Sequence, residues 1–146
     1  MAKSSDLVHR CLFFTAGTLA RSISRLAEDA FSPTGLSPSH AFALMLAAEE
    51  PGIGPCALAE RLALAPSTVS RFVDQLVAKG LLTRTAEGRM ARLSATPAGL
   101  ARLKGIEQAW KRLHLAYTRI LGPEAEELAR KLDAACTALE ESKQGS

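Results

Sequence analysis

The sequence predicts a mainly α-helical fold in which one small β-hairpin is set late in the chain and long helices lie at both ends. Three observations carry this. Apolar residues recur at helical spacing through most of the 146 residues. Proline and glycine fall where those runs stop and restart. Only after Gly80 does the period change to one that suits strands. Composition agrees, with 47% hydrophobic residues, 23% charged and only 5% aromatic, a globular balance that favours helices over a β-sandwich.

Over residues 6–31 the positions Val8, Cys11, Leu12, Thr15, Leu19, Ile23, Leu26 and Ala30 keep helical spacing, so one long amphipathic helix is expected. Ser32-Pro33-Thr34-Gly35 stops it. Ser37 then offers an N-cap with Pro38 at the first helical position, and the run Phe42, Leu44, Met45 and Leu46 marks a mostly buried helix. Glu49-Glu50-Pro51-Gly52 ends it, and Gly52-Ile53-Gly54 has room only for a turn or a brief edge strand. Pro55 opens a short helix through residue 62, with Leu58, Ala59 and Leu62 inward. After the turn Ala63-Leu64-Ala65, Pro66 opens a helix that runs to Lys79, and Gly80 is placed to close it in the left-handed conformation.

Residues 81–85 and 90–94 read as two short strands around Ala86-Glu87-Gly88-Arg89, a hairpin with glycine in its turn. Thr96-Pro97 caps and starts a long helix over 98–121; Gly122-Pro123 breaks it, and a last helix covers 124–142. The polar tail 143–146 is expected to fray. A hairpin that directly follows the second helix of a tight helix-turn-helix pair is the plan of a winged helix-turn-helix.

The helix after Pro66 carries the functional signal. Val69, Phe72, Val73 and Leu76 make its inward face, while Ser67, Ser70 and Arg71 lie opposite, with Thr68 at the edge. Small hydroxyls permit close approach to a nucleic-acid backbone, and the arginine fork suits guanine or phosphate. In the hairpin, Arg84, Arg89 and Arg92 suit phosphate contacts or a narrow minor groove. Asp74 is the exception on this basic surface and is expected to hold Arg71 or a wing arginine. The formal net charge of +3 is compatible with a polyanionic partner.

Four stretches together resemble the MarR (multiple antibiotic resistance regulator) family: residues 35–42 (GLSPSHAF), 58–62 (LAERL), 66–76 (PSTVSRFVDQL) and 79–84 (KGLLTR), followed by Thr96-Pro97-Ala98-Gly99 at the exit from the wing. The resemblance implies one MarR-type domain over 1–146, with a DNA-binding winged helix-turn-helix over 36–96 and dimerisation helices over 5–32 and 97–142. It implies a cytoplasmic, non-enzymatic homodimer that reads a palindromic operator in double-stranded DNA, represses transcription, and is released by a small lipophilic or phenolic effector. The DNA-binding set would be Pro66, Ser67, Thr68, Ser70, Arg71, Arg84, Arg89 and Arg92; Phe13, Phe14, Phe42, Trp110 and Tyr117 are candidates for the effector pocket. Two features depart from the family's pattern. The wing tip is Glu87-Gly88-Arg89 where the family has Asp-x-Arg, in a loop about two residues shorter. Ala65 precedes the recognition helix where a polar cap is usual, so Ser67 is expected to cap it later.

Other readings are weaker. Cys11 lies where one branch of the family, the organic-peroxide sensors, keeps a redox cysteine, but Phe13 and Phe14 stand where tyrosines would accompany it, and its apolar stripe suits a small core residue. A winged helix used only for protein contacts would lack the basic wing. His9, His40 and His114 are too scattered to suggest a metal, no cofactor motif occurs, and Glu126-Glu127 and Glu140-Glu141 read as solvated faces rather than acid-base pairs. No apolar run approaches the roughly 20 residues of a membrane span. The apolar stripes of the terminal helices, beyond what a chain this small can cover, point to a two-fold dimer.

Overall fold

The computed structural model describes residues 3–145. Seven helices and a hairpin follow in the order α1 (Ser4–Arg10), α2 (Leu12–Phe31), α3 (Pro38–Glu49), α4 (Pro55–Leu62), α5 (Pro66–Ala78), β1 (Leu82–Glu87), β2 (Met90–Ala95), α6 (Pro97–Leu121) and α7 (Ala125–Gln144), with short 3₁₀ turns at Ser32–Thr34 and Gly122–Glu124. The mainly helical winged architecture read from the sequence is therefore the observed one. Contacts divide the chain into two compact bodies, one spanning Ala27–Lys111 and the other formed by the flanking segments up to Leu26 and from Arg112 onward.

The central body holds the winged helix. Phe31, Leu44, Leu58, Val69, Val73, Leu76, Leu81, Leu82, Leu93 and Ile106 are almost completely buried and form one core. Of the expected buried run in α3, Leu44 alone is fully enclosed; Phe42, Met45 and Leu46 are half-exposed and line an open groove of about 560 Å³ with Leu62 and Leu64. Capping works as the sequence implies at both proline starts that have a hydroxyl. Ser37 Oγ accepts from the His40 amide, and Thr96 Oγ1 accepts from the Gly99 amide at 3.0 Å. Gly80 closes α5 with φ +72°.

The strands pair antiparallel from Leu82 opposite Ala95 to Glu87 opposite Met90, which leaves Gly88-Arg89 as a two-residue turn, tighter than the four-residue loop expected. Gly88 has φ +62° while Arg89 does not take a positive φ, the pattern of the type II′ turn that matches strand twist. Ile53 adds the brief edge strand: it bridges Leu93, with Gly52 N donating to Leu93 O at 2.8 Å and Leu93 N to Ile53 O at 2.9 Å. At the root of the wing, Gly99 lets α6 touch the chain before β1. A Cβ there would fall 2.2 Å from the Leu81 carbonyl oxygen.

The flanking body differs from expectation at one place. Helical spacing over 6–31 implied one helix, but Cys11 is extended (φ −89°, ψ 124°) and separates α1 from α2. Its backbone joins the two, since Cys11 N donates to Leu7 O and Thr15 N donates to Cys11 O. Few side chains of this body are buried, Leu113 and Ala125 among them. Leu7, Val8, Leu12, Phe13, Phe14, Leu115, Ile120, Leu132 and Leu139 are exposed. An apolar cavity of about 190 Å³ is lined by residues that include Leu19, Ile23, Tyr117, Leu121, Leu128 and Leu132.

Candidate nucleic-acid interface

Helix α5 sorts its residues by the arithmetic of a 3.6-residue turn. Val69, Val73 and Leu76 are buried and Phe72 is half-buried, while Pro66, Ser67, Ser70, Arg71 and Asp74 are exposed and Thr68 lies at the margin. The outward face thus begins with small hydroxyl side chains and ends with a guanidinium. The helix starts at Pro66, with Ala65 in the extended N-cap position and no side-chain cap. Ser67 therefore does not delay the start as expected: proline's fixed φ already suits the first helical position, so the helix forms there without a polar cap.

The wing lies beside this face and its arginines separate into three kinds. Arg84, near the root, donates to Asp74 Oδ1 of α5 at 2.6 Å. This answers which arginine Asp74 holds, and the pair ties strand to recognition helix. Arg92 is turned to a structural task. Its Nε donates to Glu87 at 3.0 Å and its guanidinium to the Gly52 carbonyl at 3.2 Å, bracing β2 against the α3–α4 connection. Like Arg84, Arg92 is paired within the fold while its side chain stays exposed. Arg89 at the turn and Arg71 on α5 have no ion pair or hydrogen-bond partner among the described residues and are exposed. From Leu82 to the tip the wing projects about 20 Å at the usual rise per strand residue.

A contact that sequence reasoning did not find holds α5 from behind. The His40 ring of α3 lies 4.4 Å, centroid to centroid, from Phe72, its Nε2 meets Gln75 Oε1, and its Nδ1 meets Ser37 Oγ. The only trace in the sequence was that His40 stands three residues after an N-cap serine.

Cys11, Cys56 and Cys136 are all free thiols and exposed, so Cys11 is not the small core residue its apolar spacing implied. Phe13 and Phe14 meet edge to face at 5.2 Å and are exposed. Tyr117 lines the apolar cavity of the flanking body, whereas Phe42 and Trp110 belong to the central body, where Phe42 lies 5.8 Å from Phe31. Among the described residues no group of three or more His, Cys, Asp or Glu converges in a way that would hold a metal ion. None of their helices is long and apolar enough to cross a membrane.

Fold and site together define a winged helix-turn-helix with an exposed, hydroxyl-rich recognition helix and an arginine-tipped wing. Residues 36–88 match the family model described as MarR family, over the same central stretch in which the sequence resembles that family. No curated protein matches the sequence. Among solved structures, the chain is similar to CouR from Rhodococcus jostii RHA1 bound to p-coumaroyl-CoA, at 22% identity and TM-score 0.70 over 88% of this chain and 90% of that one. It is similar to a probable transcriptional regulator from Pseudomonas aeruginosa, at 25% identity and TM-score 0.70 over 82% and 95%. The transcriptional repressor CouR bound to a 23-mer DNA duplex gives 19% identity and TM-score 0.79 over 94% and 99%. At these identities the structural likeness speaks for the fold.

Proposed function

We propose that the protein is a transcriptional repressor that binds a palindromic operator as a homodimer and does no catalysis. The observation that carries the reading is the recognition face of α5, Ser67, Ser70 and Arg71, exposed beside a wing whose tip arginine is unpaired. Ser67, Thr68 and Ser70 approach the backbone at the edge of a major groove, Arg71 reaches a base edge or phosphate within it, and Arg89 reaches the flanking minor groove. Pro66 sets the helix start against the backbone. Arg84 serves from its place against Asp74. The exposed apolar side chains of α1, the start of α2 and α7 suit a two-fold partner. Two recognition helices would then meet half-sites about 34 Å apart. A DNA-bound repressor of the same fold lends support.

The same reading gives the effector a lipophilic, phenolic character, supported by the apolar cavity that Tyr117 lines and by a neighbour of this fold bound to p-coumaroyl-CoA. Acting on chromosomal DNA places the protein in the cytoplasm. The test is a salt titration of binding to the DNA flanking its own gene, with non-specific competitor, backed by selection from random duplexes. A steep salt dependence with a symmetric footprint is expected. Failure to enrich any sequence in the selection would refute the reading in favour of a protein-contact role.

A further inference from the structure

We infer that His40 is a positioning residue for DNA recognition: by gripping Gln75 and Phe72 it fixes the rotation of α5 about its own axis and so aims Arg71. The inference rests on the DNA-binding reading above and deepens it.

The hydrogen-bond chemistry around the ring is self-consistent. Ser37 Oγ accepts from the His40 amide, so its hydroxyl proton is free to go to Nδ1. Nε2 then carries the ring proton and donates to the carbonyl oxygen of Gln75. The N-cap of α3 and the recognition helix are thereby joined through one imidazole across 35 positions of sequence. The ring also lies against Phe72, which gives α5 a second point of contact.

The position of these two contacts decides what they control. At about 100° per residue, Gln75 stands about 40° from Arg71 around the helix and Phe72 about 100°. Both lie on the same side of Arg71, at the border between the buried face and the outward one. Contacts there resist rolling of the helix, whereas the buried stripe of Val69, Val73 and Leu76 mainly resists lifting. A roll of about 20° moves a side-chain group about 6 Å from the axis by about 2 Å. That is enough to take a guanidinium out of hydrogen-bond range of a base edge while leaving it near the phosphates. His40 should therefore govern discrimination between sequences more than attraction to DNA as such.

The experiment compares the wild type with His40→Ala and His40→Gln on the selected operator and on a duplex of unrelated sequence. For His40→Ala, operator affinity should fall about tenfold, with unrelated-duplex affinity and salt slope unchanged. His40→Gln, whose amide can still donate to Gln75, should recover part of the loss. Equal weakening on both duplexes, or none on either, would overturn the inference. Hydrogen exchange of the free protein gives a reading that does not need DNA: His40→Ala should accelerate exchange in α5 relative to α4, and unchanged protection would overturn it. If selection yields no operator at all, the DNA-binding reading fails, and the exchange measurement still decides whether His40 holds α5.

Discussion

Gly99→Ala puts the packing at the wing's root to the test. Alanine is ordinarily the better helix residue, by about 0.5–1 kcal/mol over glycine. At this site its Cβ would lie 2.2 Å from the Leu81 carbonyl oxygen, 3.1 Å from the carbonyl carbon and 3.2 Å from Leu44 Cδ1. An ordinary C···O contact needs about 1 Å more, and both nearest atoms are backbone, so the first turn of α6 must move as a unit. That motion strains the bond from Thr96 N to Leu81 O, now 3.0 Å, which contributes about 1 kcal/mol, and overpacking itself costs about 1–3 kcal/mol. The net expectation is destabilisation of about 2 kcal/mol. Gly105→Ala on the same helix is the control. Nothing lies within 4 Å of its added Cβ, so it should gain the helix preference and become slightly more stable. Urea unfolding of the three proteins at one fixed concentration reads both effects as shifts in midpoint. A Gly99→Ala protein as stable as the wild type, beside a Gly105→Ala protein that gains stability, would refute the close-approach argument.

Arg71→Ala should cost about 1–3 kcal/mol on the operator and relax sequence preference, whereas Arg89→Ala should weaken all duplexes alike and lower the salt slope by about 1; operator affinity retained in the double variant would remove both from the interface. Asp74→Asn takes a negative charge from beside the recognition face, so affinity for unrelated duplex should rise, while stability changes by less than about 1 kcal/mol because the Arg84 pair is largely exposed. Light scattering at micromolar concentration should give twice the monomer mass, and a monomer would contradict the role assigned to the exposed apolar faces.

Much of the fold was legible because this chain punctuates its helices with proline and glycine. Pro38, Pro55, Pro66 and Pro97 each begin a helix, and Gly80 closes one. The break at Cys11 was not legible. Helical spacing continues through it, and a period reports the mean direction of side chains rather than the ψ of one residue without a breaker's chemistry. Periodicity also marked the terminal helices as amphipathic without saying what covers them, which is why Cys11 looked like core and is exposed. In the site, the outward face of α5 followed from the helical repeat alone. Which arginine meets Asp74, which one braces the wing, and what His40 touches depend on pairings of residues 10, 40 and 35 apart in sequence. Local pattern carries no information about those.

The stitch between Ile53 and Leu93 has a mechanical meaning. A hairpin clamped at its base behaves as a cantilever, whose tip fluctuation grows steeply with the length beyond the clamp. Here the clamp acts level with the pairing of Arg84 and Leu93, and Arg92 adds a strut to Gly52 just past it. Only three residue pairs, Thr85 with Arg92, Ala86 with Ala91 and Glu87 with Met90, extend further. The arm is short and stiff, so under the proposed function Arg89 would meet DNA with little motion left to freeze, a saving in ordering entropy that would offset some of the reach lost with a shorter loop.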